Sequence, residues 1–301
     1  MTDHPLRWGA EALWEQLTPQ LPGLSVEVVA RIASTNTALL ERARIVAPPT
    51  EDNAELAQVR RSVESGAFGR RAADLQPCLL VAEHQTHGRG RQGRVWLASP
   101  GASLTFSLAL PLNPKDWAGL SLAVGVALAE ALDPRPDGAA PRIVVKWPND
   151  LWLLDADGGG RKLGGILIET VAAGSRRLAV IGIGINVLPM SANETATAFA
   201  SVSELDPDVS APQVLARTAR PLVDALQLFE REGFAAFAAS FDERDMLRGR
   251  VVRTTHPGVP EGEVVGLAAN GALLVRTPDG VQEVSSGEVS VRLKPAGEAP
   301  C

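Results

Sequence analysis

The octapeptide HGRGRQGR, residues 87–94, sets Gly88, Gly90 and Gly93 at the G-x-G-x-x-G spacing among three arginines, Arg89, Arg91 and Arg94. Glycines let bare backbone N–H groups curl toward an anion, and guanidinium forks match the oxygens of carboxylates and phosphates. The chemistry offered is therefore the cradling of a phosphate, a carboxylate, or both together. A dinucleotide fingerprint would need a strand, the glycine turn, and then a helix to receive the pyrophosphate, with an acidic residue roughly 20 positions on for the ribose. CLLVAE (78–83) supplies the strand, but VWLASPGASLTFSLAL places Pro100-Gly101 and a strand-like run where the helix should be. No acidic residue lies between Glu83 and Asp116. The dinucleotide reading is dropped on both counts. RNA-binding arginine-glycine boxes are repeated, sit in basic chains and alternate with stacking aromatics. This one is a single copy between two apolar runs, in a chain with no tyrosine. An ordinary glycine-rich surface loop would explain the composition, yet three arginines in six residues exceed what a hairpin needs.

Three further stretches carry residue types suited to the same chemistry. In VVKWPNDLWLLDADGGGRKLGGILIE, a strand-like run ends in Lys146-Trp147-Pro148-Asn149-Asp150, and Lys162 stands just before Gly164-Gly165. A lysine ahead of a diglycine lets backbone approach a ligand closely while a mobile ammonium meets its anion. Taken alone, Lys162 reads as a strand-end lysine and Asn149-Asp150 as a turn. IGIGIN (181–186) is a glycine-broken apolar strand that ends in the amide of Asn186. Ser34-Thr35-Asn36 sits where a strand, LSVEVVARI, gives way to the helical pattern TNTALLERARIV, with Ser34 or Thr35 placed to cap it.

These residues need elements to hold them. Leu6 to Leu17 repeats apolar residues at helical spacing and stops at Thr18-Pro19; SLTFSLALPL (103–112) reads as a strand and LSLAVGVALAEAL (120–132) as an apolar helix closed by Asp133-Pro134. RIVVKW, LWLL, KLGGILIETV and RLAVIGIGINV give four strands between 142 and 187. A long helix from Ala211 to Glu230 and a shorter one from Phe234 to Arg244 follow. From Arg250 to Leu293 short alternating runs separated by HPGVPEG, ANG and PDG turns predict a small antiparallel barrel. Residues 47–77 are polar and charged and read as a surface insertion. The expected organisation is a main domain over 1–247, the barrel over 248–295 and a frayed tail, 296–301.

The chain has 301 residues, with 29 Lys plus Arg against 35 Asp plus Glu and a formal charge of -6, so anion binding is expected to be local. Two cysteines, Cys78 and the terminal Cys301, make neither a disulfide framework nor a zinc spacing. No signal-peptide pattern and no apolar run of membrane-spanning length occur, so a cytoplasmic protein is expected.

Ser34-Thr35-Asn36, Gln85 followed by GRGRQGR and Trp96, KWPNDL, RKLGGILIE and GIGINV resemble, in that order and spacing, the catalytic domain of bacterial biotin protein ligases. The resemblance spans about residues 30 to 190 and continues more loosely through QLFEREGF (227–234) and the C-terminal GALLV and GEVSVR runs. It implies an α+β fold, a mixed sheet with flanking helices of the class II aminoacyl-tRNA synthetase-like kind, followed by an SH3-like barrel. It implies ATP-dependent activation of biotin to biotinyl-5'-AMP, with Mg²⁺, then transfer of the biotinyl group to a lysine of a biotin carboxyl carrier protein such as that of acetyl-CoA carboxylase. Carried over residue by residue, Ser34, Thr35, Asn36, Gln85, Arg89, Gly90, Arg91, Lys162 and Gly165 would surround biotin, with Trp96 as an apolar wall. Gly88, Arg91, Asn149 and Asn186 would hold ATP or the adenylate. Lys162 and Arg91 would be catalytic, and Asp150 would stand at or near Mg²⁺. The chemistry needs positive charge rather than a protein nucleophile, so no Ser-His-Asp or Cys-His set is required. A reactive acyl-adenylate must be kept from water, and a glycine-rich loop that closes over it would do so.

His87 stands where the family has a small residue, and the insertion has no counterpart there. About thirty residues precede Ser34, too few for the DNA-binding helix-turn-helix that many family members carry, so no DNA binding is expected. Edge-strand dimers occur in the family, and a homodimer is compatible with the resemblance. The rival readings are a lipoate or octanoate ligase with a longer apolar tunnel, and an RNA-binding module.

Overall fold

The run CLLVAEHQ is buried at five successive positions, on both faces of its strand, which only a sheet covered on two sides allows. The computed structural model describes residues 6–44, 75–136, 138–156, 158–173, 176–190, 199–286 and 289–293. Most of the expected insertion, and the tail, lie outside the described residues. The chain divides into two compact units, one formed by residues 1–113 and 164–223 and the other by 114–163 and 224–301.

In the first unit, helix α1 (Ala10–Leu17) is followed by strand β1 (Ser25–Ile32), helix α2 (Thr35–Arg44) and β2 (Cys78–Gln85). A two-stranded ribbon, β3 (Gly88–Arg89) and β4 (Val95–Trp96), leads to β5 (Ser103–Pro111). After the residues of the second unit come the part of β8 (Gly160–Ala173) from Gly164 onward and β9 (Arg176–Asn186). The large strands pair in the order β1-β2-β5-β9-β8, with β1 and β2 parallel and the rest antiparallel, a mixed sheet as expected. Helix α2 closes one face: Leu39, Leu40 and Ala43 cluster with Cys78 and Leu80 of β2, Ala109 of β5, and Leu178 and Val180 of β9. Each fully buried leucine there contributes roughly 1.5–3 kcal/mol. That packing fixes the N-terminus of α2, and with it Ser34, Thr35 and Asn36, over the sheet.

In the second unit, helix α3 (Leu120–Leu132) is buried almost all round, as its unbroken apolar sequence requires. It packs on the hairpin of β6 (Ile143–Lys146) and β7 (Asp150–Leu154). Asp133, at the end of α3, accepts from the Nη1 of buried Arg244 at 3.0 Å, and the same guanidinium reaches Ile143 O at 2.7 Å. Arg244 ends helix α5 (Ala238–Arg244), which follows the end of α4 (Ala211–Glu232) and a 3-10 turn over Phe234–Phe237. The sequence reads Phe234 to Arg244 as one helix; Phe237, with φ -109, interrupts it. Strands β10 (Val251–Thr254), β11 (Glu261–Leu267), β12 (Leu273–Thr277), β13 (Gly280–Val284) and β14 (Val291–Leu293) form an antiparallel sheet in the order β13-β12-β11-β10-β14, where the barrel is expected.

Asp245 yields a pH prediction within this unit. It bridges to Val145, its Oδ1 accepts from Leu247 N at 2.8 Å, and its Oδ2 is buried with no hydrogen-bond partner. Burial pushes its carboxyl up from 3.8 to about 6. The folded state therefore holds its proton longer than the unfolded chain, so the contribution to stability is full below pH 3.8 and is lost as pH rises through about 6. Asp245→Asn keeps the acceptor for Leu247 and removes the titration. Denaturation of the two proteins across pH 4–7 is expected to show the variant gaining on the wild type by up to roughly 1.4 kcal/mol per pH unit until about pH 6, and the two running parallel above it. Curves parallel throughout would refute it.

Candidate active site

In the first unit the turn from β1 into α2 is stitched to β2 and β5 through buried polar groups. Gln85 Oε1 accepts from Thr35 N at 2.7 Å and from Thr35 Oγ1 at 3.0 Å. Ser107 Oγ lies 2.6 Å from Thr35 Oγ1 and 2.6 Å from Asn36 Oδ1, and its single hydrogen serves one of them at a time. Asn36 Nδ2 donates to Leu167 O at 3.1 Å and to Glu169 Oε2 at 3.0 Å. Ser34 Oγ accepts from Thr37 N at 3.4 Å, the N-cap role open to it from its position. Ser34, Thr35, Asn36 and Ser107 are at most 4% exposed and Gln85 9%, so the network lies in a low-dielectric setting where unmade bonds are costly.

The arginine-glycine stretch forms the β3–β4 ribbon. Gly88 pairs with Trp96 and Arg89 with Val95, Gly90 N donates to Arg94 O at 2.7 Å, and a 3-10 turn runs over Arg91–Gly93. Gly88 has to be glycine, since a Cβ there would lie 2.4 Å from Trp96 O. Arg89 reaches from the ribbon to Glu169 through both terminal nitrogens, at 3.3 and 3.1 Å, and to Thr37 Oγ1 at 3.3 Å.

The glycines of IGIGIN make room for these groups. A Cβ on Gly182 would fall 2.2 Å from Asn36 Oδ1, and one on Gly184 would fall 2.4 Å from the indole of Trp96. Gly184 faces Gly165 across the β8–β9 pair, and Asn186, 2% exposed, pairs with Ser103.

Lys162, Asn149 and Asp150 belong to the second unit. Lys162 Nζ lies 2.8 Å from Asp150 Oδ1, with the two side chains 29% and 22% exposed. Asp150 starts β7 opposite Lys146, whose ammonium sits 4.5 Å from the centroid of the Trp152 ring. Trp147, 1% exposed, anchors the KWPND turn by donating its indole N–H to Gly271 O at 3.1 Å. Among the described residues no group of three or more His, Cys, Asp or Glu is arranged to hold a metal ion. A magnesium ion held by one carboxylate and by phosphate oxygens needs no such group.

Each unit therefore carries some of the residues singled out in the sequence, and β8 runs from the second unit into the first between Leu163 and Gly164. The biotin/lipoate A/B protein ligase family model matches residues 72–186, and the biotin protein ligase C-terminal domain model matches 250–292. The bifunctional ligase/repressor BirA of Escherichia coli is 33% identical over 287 residues, spanning 92% of this chain and 77% of its own length. The chain belongs to the biotin protein ligase family. The biotin--[acetyl-CoA-carboxylase] ligase of Mycobacterium tuberculosis is 31% identical over 290 residues, covering 93% of this chain and 91% of that protein. Among solved structures, the biotin protein ligase of Aquifex aeolicus in complex with biotin and ATP matches with a TM-score of 0.64 and 26% identity, over 89% of this chain and 99% of the other.

Two members of this ligase's polar network, buried Ser107 and partly exposed Glu169, escape sequence reasoning. Ser107 sits inside the apolar run SLTFSLAL and Glu169 at the end of KLGGILIE, where each reads as an ordinary strand residue. The available signal is that Ser107 interrupts a strand buried at eight successive positions, where a hydroxyl needs a partner.

Proposed function

We infer that this chain is an ATP-dependent biotin–protein ligase, which joins biotin to AMP and passes the biotinyl group to a lysine of a biotin carrier protein. One observation carries the reading furthest. Gln85 Oε1 is occupied by two donors from Thr35, so the amide turns its nitrogen, not its oxygen, to a ligand, beside the bare backbone of Gly88. That is the polarity a ureido carbonyl requires. A substrate without such a carbonyl would leave this buried donor unmet and be rejected, which favours biotin over lipoate or octanoate.

In the first step an oxygen of the biotin carboxylate attacks the α-phosphorus of ATP. The bond to the bridging oxygen breaks and pyrophosphate leaves. Negative charge accumulates on the phosphoryl oxygens, and fixed cations lower the barrier without covalent participation. We assign this role to Arg91 and Lys162. Arg89, Gly90 and Gly165 join Ser34, Thr35, Asn36 and Gln85 about biotin, and Gly88, Asn149 and Asn186 serve the nucleotide. Asp150, the carboxylate beside Lys162, is the residue that would hold Mg²⁺, which would offset negative charge on the nucleotide. In the second step the carrier's lysine, as the free amine, attacks the acyl carbon; AMP leaves and the amine loses its proton to solvent. The division into a main domain over 1–247 and a barrel over 248–295 is supported by the C-terminal family match at 250–292.

Incubation of the purified chain with biotin, MgATP and the biotinyl domain of an acetyl-CoA carboxylase, followed by streptavidin detection, tests the reading. Biotin-dependent labelling and pyrophosphate release are expected. Labelling by lipoate in place of biotin, or by neither, would overturn it.

A further inference from the structure

Glu169 joins two groups that the proposed reaction uses in different ways. Its Oε2 accepts from the amide of Asn36, at the floor of the buried network, and its two oxygens take the guanidinium of Arg89, on the glycine ribbon. We propose that Glu169 is a positioning residue for the biotin site, which sets the orientation of the Asn36 amide and anchors the ribbon to the sheet. The inference rests on the reading of the chain as a biotin ligase.

The orientation argument is one of hydrogen-bond inventory. Asn36 has two amide hydrogens, and both are directed within the protein, to Leu167 O and to Glu169. The amide oxygen is thereby turned to Ser107, which in turn meets Thr35, the residue that holds Gln85. Leu167 O and the Glu169 carboxylate both only accept, so together they hold the amide nitrogen toward β8 and the amide oxygen toward Ser107. The anchoring argument is electrostatic. Arg89 is half-exposed and would by itself sample many rotamers, whereas a carboxylate facing its fork at 3.1 and 3.3 Å holds one. Glu169 stands on β8, whose pairing with β9 is continuous from Gly164 to Ala173, so the anchor is rigid. A loop pinned at Arg89 brings Gly90 and Arg91, the next two residues, to a defined place over the site.

Glu169→Gln is the test. The glutamine keeps size and reach but has one acceptor oxygen and a donor NH₂, so it cannot serve Asn36 and both nitrogens of Arg89. Steady-state pyrophosphate release is expected to show KM for biotin raised about ten- to thirtyfold, from the loss of hydrogen bonds to a charged acceptor, with KM for ATP and kcat within about threefold. Thermal unfolding is expected to stay near the wild type, because the side chain is partly exposed. Glu169→Gln combined with Arg89→Ala should raise KM for biotin by less than the product of the single effects, since both act through one contact. An unchanged KM for biotin would overturn the proposal. So would equal rises in both KM values, the sign of general damage, or multiplicative effects in the double variant. If wild type forms no biotinyl-AMP, the functional reading falls as well; if wild type is active and Glu169→Gln matches it, this inference falls alone.

Discussion

Lys162→Ala is expected to lower the rate of biotinyl-AMP formation by about 10²–10³-fold, the range seen when a preorganised stabiliser of developing charge is removed. Phosphoryl chemistry gives the protein little covalent work, so a lost cation appears almost wholly in kcat of the first step. The variant should remain folded, because the Lys162 side chain is 29% exposed and the ion pair it gives up with Asp150 is open to solvent. Transfer from chemically made biotinyl-AMP to the carrier lysine should fall much less, since no pyrophosphate leaves in that step. Asp150→Ala provides the contrast: it removes the carboxylate that pairs with the ammonium and that is proposed to hold Mg²⁺, so its effect should depend on Mg²⁺ concentration where that of Lys162→Ala does not. Single-turnover assays of the two half-reactions distinguish these outcomes. A Lys162→Ala enzyme within threefold of wild type in the first step would remove Lys162 from the chemistry.

The strands around the candidate site were legible as apolar runs of strand length. CLLVAE, SLTFSLALPL and KLGGILIETV are apolar runs of strand length bounded by turn residues, and each becomes one strand within a residue or two. The rejection of a dinucleotide fold rested on the run after HGRGRQGR being a strand, and β5 occupies it. What sequence could not supply was orientation. Asn36 is visible as a polar residue at a helix start, but nothing in STNT says that its amide points across β9 to a glutamate 133 residues away. In sequence the glycines of IGIGIN read only as breaks in an apolar strand that ends in Asn186. They are in fact adjacent solutions to two different collisions, Gly182 with Asn36 and Gly184 with Trp96. Glu169 and Ser107 were passed over for the same reason: a single carboxylate or hydroxyl in a strand has no periodic signature, and its importance lies in partners that only the fold brings near.

Those two collisions separate in experiment, and Gly182→Ala is expected to be the more damaging. Its new methyl group would lie 2.2 Å from Asn36 Oδ1, and the amide can retreat only by giving up Ser107, Leu167 O or Glu169. All of these are at the base of the buried network, so overpacking should cost about 1–3 kcal/mol of stability in addition to weakening biotin binding. Gly184→Ala strikes an indole carried on β4, a two-residue strand whose partner is the equally short β3. That ribbon can yield as a unit without unmaking the sheet, so stability should change by less than about 1 kcal/mol while biotin KM rises through the displaced Trp96 and the arginines beside it. Urea denaturation and biotin KM, measured on both variants, give the comparison. If Gly184→Ala proves the less stable protein, the ribbon packs as part of the core and the difference drawn between the two collisions falls.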